Sequence, residues 1–596
     1  MKIRSIGQSA MIRHLLLSFL ITVTMMHWLH FSSVHISGVI VFALAAGLLT
    51  AYDRFLRAKR PERTILKTGA ALGLFFTAAT VLADRDNLFA GIHSRLFLAA
   101  YSLIFLGGFA CLYITSVTAI LIAASHTSFC EKVQAVNLQV AQGASSGDLL
   151  ERHPGLITFL LCMLIWGVWF LSEYPGVMTV DSLEQYGQII GARPFSDHHP
   201  YIHTLLIGAW YRLGLFVTGS PVHAIAFYTV FQMTACAAIT GFLMMTLTRL
   251  GLKKGLRYAV LLFFACYPVN GAYSVTMWKD ILFSYVTLLF VTLLVRLVHA
   301  GEDGKERIER SDAVLFLITG VLFSLLRSNG LIAYVVTVPF LIVFLKGMRR
   351  QQILLHAIVL AVVLIIKIPV AGAVLEARAE FVESLSIPVQ TVARVYADGE
   401  PVSDEMDRIW NRIMDTGRIP ETYEPHCADH MKNLIRLGDA KELEDNKAAY
   451  LKAWIAFGLQ HPLSYMRGYI DTTRGYWYPD VPNLTIGFDE SIAPNDCGLS
   501  GAPVLKGTLW LKLRELFLKL PQQIPLYGLP ESCGAITWAL LLLFGIALVK
   551  RGKAAAACFV PCFAILLTLL LATPVTNEYR YAYPVLLSLP MYLVFI

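Results

Sequence analysis

Apolar residues along this chain gather mostly into blocks of about 16 to 29 positions, separated by short polar segments in which Lys and Arg collect. A helix of that length crosses a hydrocarbon layer of roughly 30 Å, and a helix satisfies its own backbone hydrogen bonds where no water is present. The pattern predicts spans near 14–31, 34–51, 66–83, 96–124, 156–172, 221–249, 256–272, 281–299, 313–328, 331–346, 352–370, 534–549, 554–573 and 584–596. The block at 201–219 is interrupted by Trp210, Tyr211 and Arg212 and reads as an amphipathic helix lying at the membrane surface. The stretch 371–533 is mostly polar, mixed helical in pattern and long enough to be a domain of its own. The expected fold is therefore an all-α polytopic membrane protein of about 14 transmembrane helices with an extracytoplasmic, mainly helical domain. Four segments follow: 1–153, an N-terminal helical module with a polar linker near 125–154; 154–370, a transmembrane core; 371–533, the extracytoplasmic domain; and 534–596, the C-terminal transmembrane helices.

Composition agrees with this pattern. Hydrophobic residues make up 56% of the chain and charged residues 15%, and the mean hydropathy is +0.60, far from the balance of a soluble domain. The net charge of +8 is not a nucleic-acid signal, because the Lys and Arg residues sit at the ends of apolar blocks, where they set orientation. The N-terminal segment is basic and leads into an apolar run without a small-residue cleavage site, so it reads as a retained first span. Ten cysteines form no CxxC pair; only Cys427 and Cys497 lie in the long polar region, where an oxidising compartment would permit a disulfide.

Charge at the span ends places Arg54, Arg57, Lys59, Arg60 and Arg63, then Arg249, Lys253, Lys254 and Arg257, then Lys550, Arg551 and Lys553 on the cytoplasmic side, together with both termini. The unusual polar clusters all fall on the opposite side. They are Asp181 with His198 and His199; Lys279 and Asp280 after Trp278; Arg327 and Asn329; Glu376, Arg378, Glu380 and Glu383; Arg474 with Tyr476, Trp477, Tyr478 and Asp480; and Glu578, Arg580 and Tyr581. Ionisable groups at span ends are costly to keep, so their collection at one surface points to a site working there.

Each residue type suits a task. Asp181 can act as a general base or a metal ligand, and it reads equally as the cap of a short helix near 183–190 that Gly191 ends. His198 and His199 can supply imidazole to a metal or bind a phosphate when protonated. Arg327 and Arg580 are planar, permanently charged forks suited to a phosphate, and Lys279 can add a point charge or merely snorkel. Trp477 and Tyr478 offer flat faces for a sugar ring, though interfacial aromatics also anchor helices in the membrane.

The segments PGVMTVDS, DHHPYIHTLLIG, MWKD, RSNG and NEYRYAYP together resemble the polytopic GT-C glycosyltransferases of bacteria, and among them a membrane family of undefined function with this first-loop pattern. ESLSIPVQTVARV at 383–395 resembles a further block, and the likeness runs from about Pro154 to the end of the chain. The resemblance implies an enzyme in the bacterial plasma membrane, its active site facing outward. It would move a sugar from a polyprenyl-phosphate or polyprenyl-pyrophosphate donor to an envelope glycan or lipid-linked acceptor. It makes Asp181, His199 and Asp280 the candidate catalytic residues and Lys279, Arg327 and Arg580 the candidate donor-phosphate ligands. His198, Asn329, Trp477, Tyr478, Glu578 and Tyr581 become candidate substrate contacts, and Asp181 with His198 candidate ligands of a Mg or Mn ion. The chain carries a single acid followed by serine where several relatives carry paired acids, which leaves metal dependence open. The rival readings are a transporter or flippase of a lipid-linked saccharide, for which repeated halves and broken mid-membrane helices would be expected, and an outer-face glycan ligase or polymerase. No nucleic-acid partner is expected.

Overall fold

The computed structural model of the chain describes residues 2–32, 34–131, 149–345, 348–375, 380–479, 481, 491–572, 575 and 578–596. Most of the linker expected near 125–154 thus lies outside the described residues. Those described are mostly helical, with isolated bridges in place of strands, so the protein is an all-α polytopic membrane protein.

Nine helices among the described residues are long and apolar enough to cross a bilayer: Met11–Trp28, Ser37–Lys59, Arg63–Ala83, Arg95–Ser125, Pro154–Ser172, Pro221–Arg249, Lys279–Glu302, Arg349–Val370 and Cys533–Arg551. The remaining expected spans are shorter helices. The block at 256–272 is divided into Lys254–Cys266 and Pro268–Ser274, because Pro268 cannot continue the hydrogen-bond ladder of the helix before it. Arg310–Leu325, Ser328–Phe344 and Val560–Leu571 take the places expected at 313–328, 331–346 and 554–573. The last helix, Tyr579–Tyr592, contains Pro584 and Pro590. The interrupted block at 201–219 is one continuous helix, Tyr201–Thr218.

The chain divides into two compact units. The first comprises Met1–Ser128, Trp538–Gly552 and Phe595–Ile596. Its tightest crossing lies between Arg63–Ala83 and Arg95–Ser125, where a Cβ on Gly73 would lie 2.6 Å from the Ile114 Cα and one on Gly69 2.1 Å from the Thr118 hydroxyl. This is the small-residue spacing that lets membrane helices approach backbone to backbone. Phe76, on the same helix, stacks on Trp538 with ring centroids 4.3 Å apart.

The second unit comprises Phe129–Thr537 and Lys553–Val594, and its axis is Lys279–Glu302. In that helix 89% of the apolar window is buried inside the protein, against 11% for Ser37–Lys59 in the first unit. An all-round apolar helix belongs at the centre of a bundle, and this one packs on Tyr579–Tyr592, Pro221–Arg249 and Arg310–Leu325. Between the spans, the polar stretch folds as a helical body around Ser386–Ala397, the segment ending the 383–395 block. Val389, Val392 and Val395 on that helix meet Trp410, Ile413, Ile435 and Phe457 in a common core. Two of its flanking helices are capped by side chains: that of Ser403 accepts from the Met406 amide and that of Asp439 from the Glu442 amide. Cys427 and Cys497 are both free thiols.

Candidate functional site

Four helices begin at one place in the second unit, and each contributes its first residues. Asp181 lies in the first turn of Val180–Ile189. Trp278 is the residue before Lys279–Glu302, so Lys279 and Asp280 open that helix. Arg327 immediately precedes Ser328–Phe344, and Glu578 precedes Tyr579–Tyr592, whose second residue is Arg580. The unpaired amides at helix starts carry partial positive charge, so a meeting of helix N-termini favours anions even before side chains are counted.

The loop bearing Asp181 is held in place by backbone pairing with two distant segments. The Val177 amide donates to the Val275 carbonyl at 2.9 Å, and the Met277 amide to the Val177 carbonyl at 2.9 Å. On the other side the Met178 amide donates to the Ser491 carbonyl at 2.8 Å and the Ala493 amide to the Met178 carbonyl at 2.9 Å. Gly176 makes the approach possible: its φ is +142°, and a Cβ there would lie 2.3 Å from the Thr229 hydroxyl. The Ser182 hydroxyl donates to the Met277 carbonyl at 2.9 Å and the Trp278 indole to the Thr179 hydroxyl at 2.7 Å, which ties the first loop to the start of the central helix.

These restraints bring Asp181 to cations from two other segments. Arg580 Nη1 donates to Asp181 Oδ2 at 2.9 Å, and Lys279 Nζ lies 3.4 Å from the same oxygen. The capping reading of Asp181 is not realised: the helix starts earlier, at Val180, and no side chain bonds its first amides. Burial opposes ionisation of Asp181, but Lys279 and Arg580 outweigh it and hold the carboxyl well below the usual carboxylate range. Its side chain is 29% exposed, whereas that of Asp280 is fully enclosed.

Asp280 works inward. Its Oδ1 lies 2.6 Å from Arg327 Nη1 and its Oδ2 3.9 Å from Arg580 Nη1, so one buried carboxylate holds both arginines. Asp280 is a catalytic candidate from the sequence, and its carboxylate is fully enclosed. The Arg327 guanidinium sits over the Tyr581 ring at 4.5 Å, and that of Arg580 over the Trp278 ring at 4.4 Å. Arg580 Nε pairs with Glu578, and burial pushes the Glu578 carboxyl up although Arg580 pulls it down. Tyr581 is buried beneath the arginines and supports them; its ring face is not open to a sugar.

The histidine pair is divided. His199 is buried, and Lys279 Nζ donates to its Nδ1 at 2.8 Å, which places the ring proton on Nε2. Burial, reinforced by Lys279, pushes its pKa down to about 2, so the ring is neutral rather than the protonated phosphate ligand that the sequence suggested. Its Nε2 is buried with no hydrogen-bond partner among the described residues. His198 is exposed and meets His199 edge to face at 4.6 Å between centroids.

The remaining expected contacts are engaged within the fold. Asn329 donates to the Thr568 hydroxyl at 2.9 Å, and the Trp477 indole to the Thr473 hydroxyl at 3.2 Å. Tyr478 is buried, which removes it as a stacking platform. Trp278 and Thr179 pack at this cluster although pattern reading passed over both, and the place of Trp278 under Arg580 has no local signature.

Among the described residues no group of three or more His, Cys, Asp or Glu side chains is arranged to hold a metal. The donor chemistry does not suit the expected Mg or Mn ion: Asp181, Asp280 and Glu578 each face Arg or Lys, and His199 Nδ1 accepts from Lys279.

Neither a curated protein nor a solved structure matches the chain. A family model described as a family of unknown function, DUF6020, matches residues 190–596, which takes in Lys279, Asp280, Arg327, Glu578 and Arg580 and starts just after the helix that carries Asp181. With the match covering well over half of its length, the chain belongs to the DUF6020 family.

Proposed function

We propose that this protein is a membrane glycosyltransferase. It moves a sugar from a polyprenyl-phosphate or polyprenyl-pyrophosphate donor to an envelope glycan or lipid-linked acceptor at the outer face of a bacterial plasma membrane. One observation carries the reading: the partly exposed Asp181 carboxylate is held by Lys279 and Arg580, which come from 98 and 399 residues further along the chain. A carboxylate poised between cations at a meeting of helix N-termini suits a reaction in which an anionic leaving group and a base work side by side.

As it stands, the cluster balances three carboxylates, Asp181, Asp280 and Glu578, against three cations, Lys279, Arg327 and Arg580. A donor phosphate entering it competes with Asp181 for Lys279 and Arg580. As those cations turn to the phosphate, the Asp181 carboxyl loses the charges that depress its proton affinity and becomes a better base. It then takes the proton of the acceptor hydroxyl while that oxygen bonds to the anomeric carbon. The bond from that carbon to the phosphate oxygen breaks, and the phosphate keeps the electron pair, stabilised by the two cations. The Nε2–H of His199 is a donor without an acceptor among the described residues, suited to a phosphate or sugar oxygen. Asp280, buried between Arg327 and Arg580, keeps the forks aimed. No step runs through a metal, because the carboxylates are already committed to cations.

The test uses the purified full-length protein in nanodiscs with a radiolabelled polyprenyl-phosphate sugar and candidate acceptors. Transfer of label to an acceptor, lost in Asp181→Asn, is the expected result. Movement of intact donor across liposome membranes without any transfer would overturn the reading in favour of transport.

A further inference from the structure

The helical body between the spans contains a cavity of about 450 Å³, within the range of roughly 300–1,000 Å³ usual for small-ligand sites. Its walls are almost wholly apolar and include Val389, Val392, Trp410, Ile413, Leu451 and Trp454. Protein interiors seldom leave voids much larger than a water molecule, because lining atoms without partners forfeit their dispersion contacts. An apolar space of this size holds water poorly, since water there finds no polar partners. The body's own core residues form its walls, so the opening belongs to the fold rather than to a loop.

Two features name the occupant. Lys447 lies at the rim, with Nζ 4.4 Å from the centre of the Phe381 ring and 3.2 Å from a Glu444 carboxylate oxygen, so the mouth carries a cation as well as an acid. From that rim an exposed apolar stripe runs along Lys447–Gln460 at helical spacing: Leu451, Ile455 and Leu459 are 57%, 51% and 79% exposed. Such a stripe on a membrane protein belongs against lipid.

We infer that this cavity binds one acyl chain of an anionic membrane lipid, the chain entering from the bilayer along the Leu451–Leu459 stripe. The anionic head meets Lys447 at the rim. The inference stands on the helical body alone and does not depend on the reading of the Asp181 site.

Full-length protein in nanodiscs doped with a diazirine-bearing fatty acid is irradiated and its adducts are mapped to peptides, with a diazirine-bearing polyprenyl phosphate as the second arm. Adducts from the acyl probe are expected in peptides covering 381–392, 410–414 and 447–454. Ala448→Trp, at an exposed rim position that tolerates bulk, should abolish them while leaving adducts on the Ser37–Lys59 span unchanged. Lys447→Met, which removes the rim cation, should lower them. Acyl adducts confined to the spans, adducts in these peptides that persist in Ala448→Trp, or labelling by the polyprenyl probe alone would each overturn the inference.

Discussion

Replacing Asp181 with Asn tests the proposed mechanism most directly, since it removes one charge and keeps the shape of the side chain. Arg580 at 2.9 Å and Lys279 at 3.4 Å both point at the oxygen concerned. At an effective dielectric of about 20, each pair is worth on the order of 5 kcal/mol of raw Coulomb attraction, most of it offset by the cost of desolvating the charges. Asn still presents an acceptor oxygen to Arg580, Glu578 still faces the same guanidinium, and the replaced side chain is 29% exposed. The expected loss of stability is therefore only about 1–2 kcal/mol, the scale of one hydrogen bond losing its charge assistance. Turnover behaves differently, because an amide cannot take a proton: a fall of about a hundredfold or more is expected, which corresponds to at least about 2.7 kcal/mol in the barrier. Single-turnover transfer from the radiolabelled donor, measured beside donor binding and thermal melting, separates the two effects. The variant should melt within a few degrees of wild type, bind donor at least as tightly because phosphate no longer competes with a carboxylate, and transfer sugar far more slowly. An Asp181→Asn protein that turned over at the wild-type rate would refute the assignment of the base.

Lys279→Met should move the acid limb of the pH–rate profile upward: without this cation the Asp181 carboxyl protonates at higher pH, so activity is lost sooner as pH falls. Arg327→Ala leaves Asp280 buried without its 2.6 Å partner and should cost about 3 kcal/mol in melting experiments, with Asp280→Asn in the same chain restoring part of that loss. Burial pushes the Glu531 carboxyl up to about 7 from its ordinary 4.5. Stability from this group is therefore present below about 4.5 and lost as pH rises through 7, so Glu531→Gln should flatten the melting profile over that window. At pH 8 the variant should be about 1–2 kcal/mol more stable than wild type, after discounting for partial exposure.

The all-α membrane class followed from block length alone, because a helix that must cross a bilayer needs a run of apolar residues wherever it lies in the chain. The polar clusters at 181, 279–280, 327 and 578–581 were legible for a related reason: an ionisable group beside an apolar run is costly and stands out. Tertiary structure decided what those groups do. Nothing local in MWKD distinguishes Lys279, which reaches Asp181, from Asp280, which is sealed between two arginines; the difference is one of direction on a helix whose neighbours come from distant segments. Nothing in the HHP motif says that His199 is buried against Lys279 and neutral while His198 stays exposed, because desolvation depends on what packs around a ring. The same holds for the break before Pro268, where an apolar block of spanning length became two short helices, and for the acyl-sized cavity, whose walls come from residues spread between Phe381 and Trp454. Periodicity and hydropathy are properties of neighbours in the chain, whereas charge pairing, burial and empty space are properties of neighbours in space.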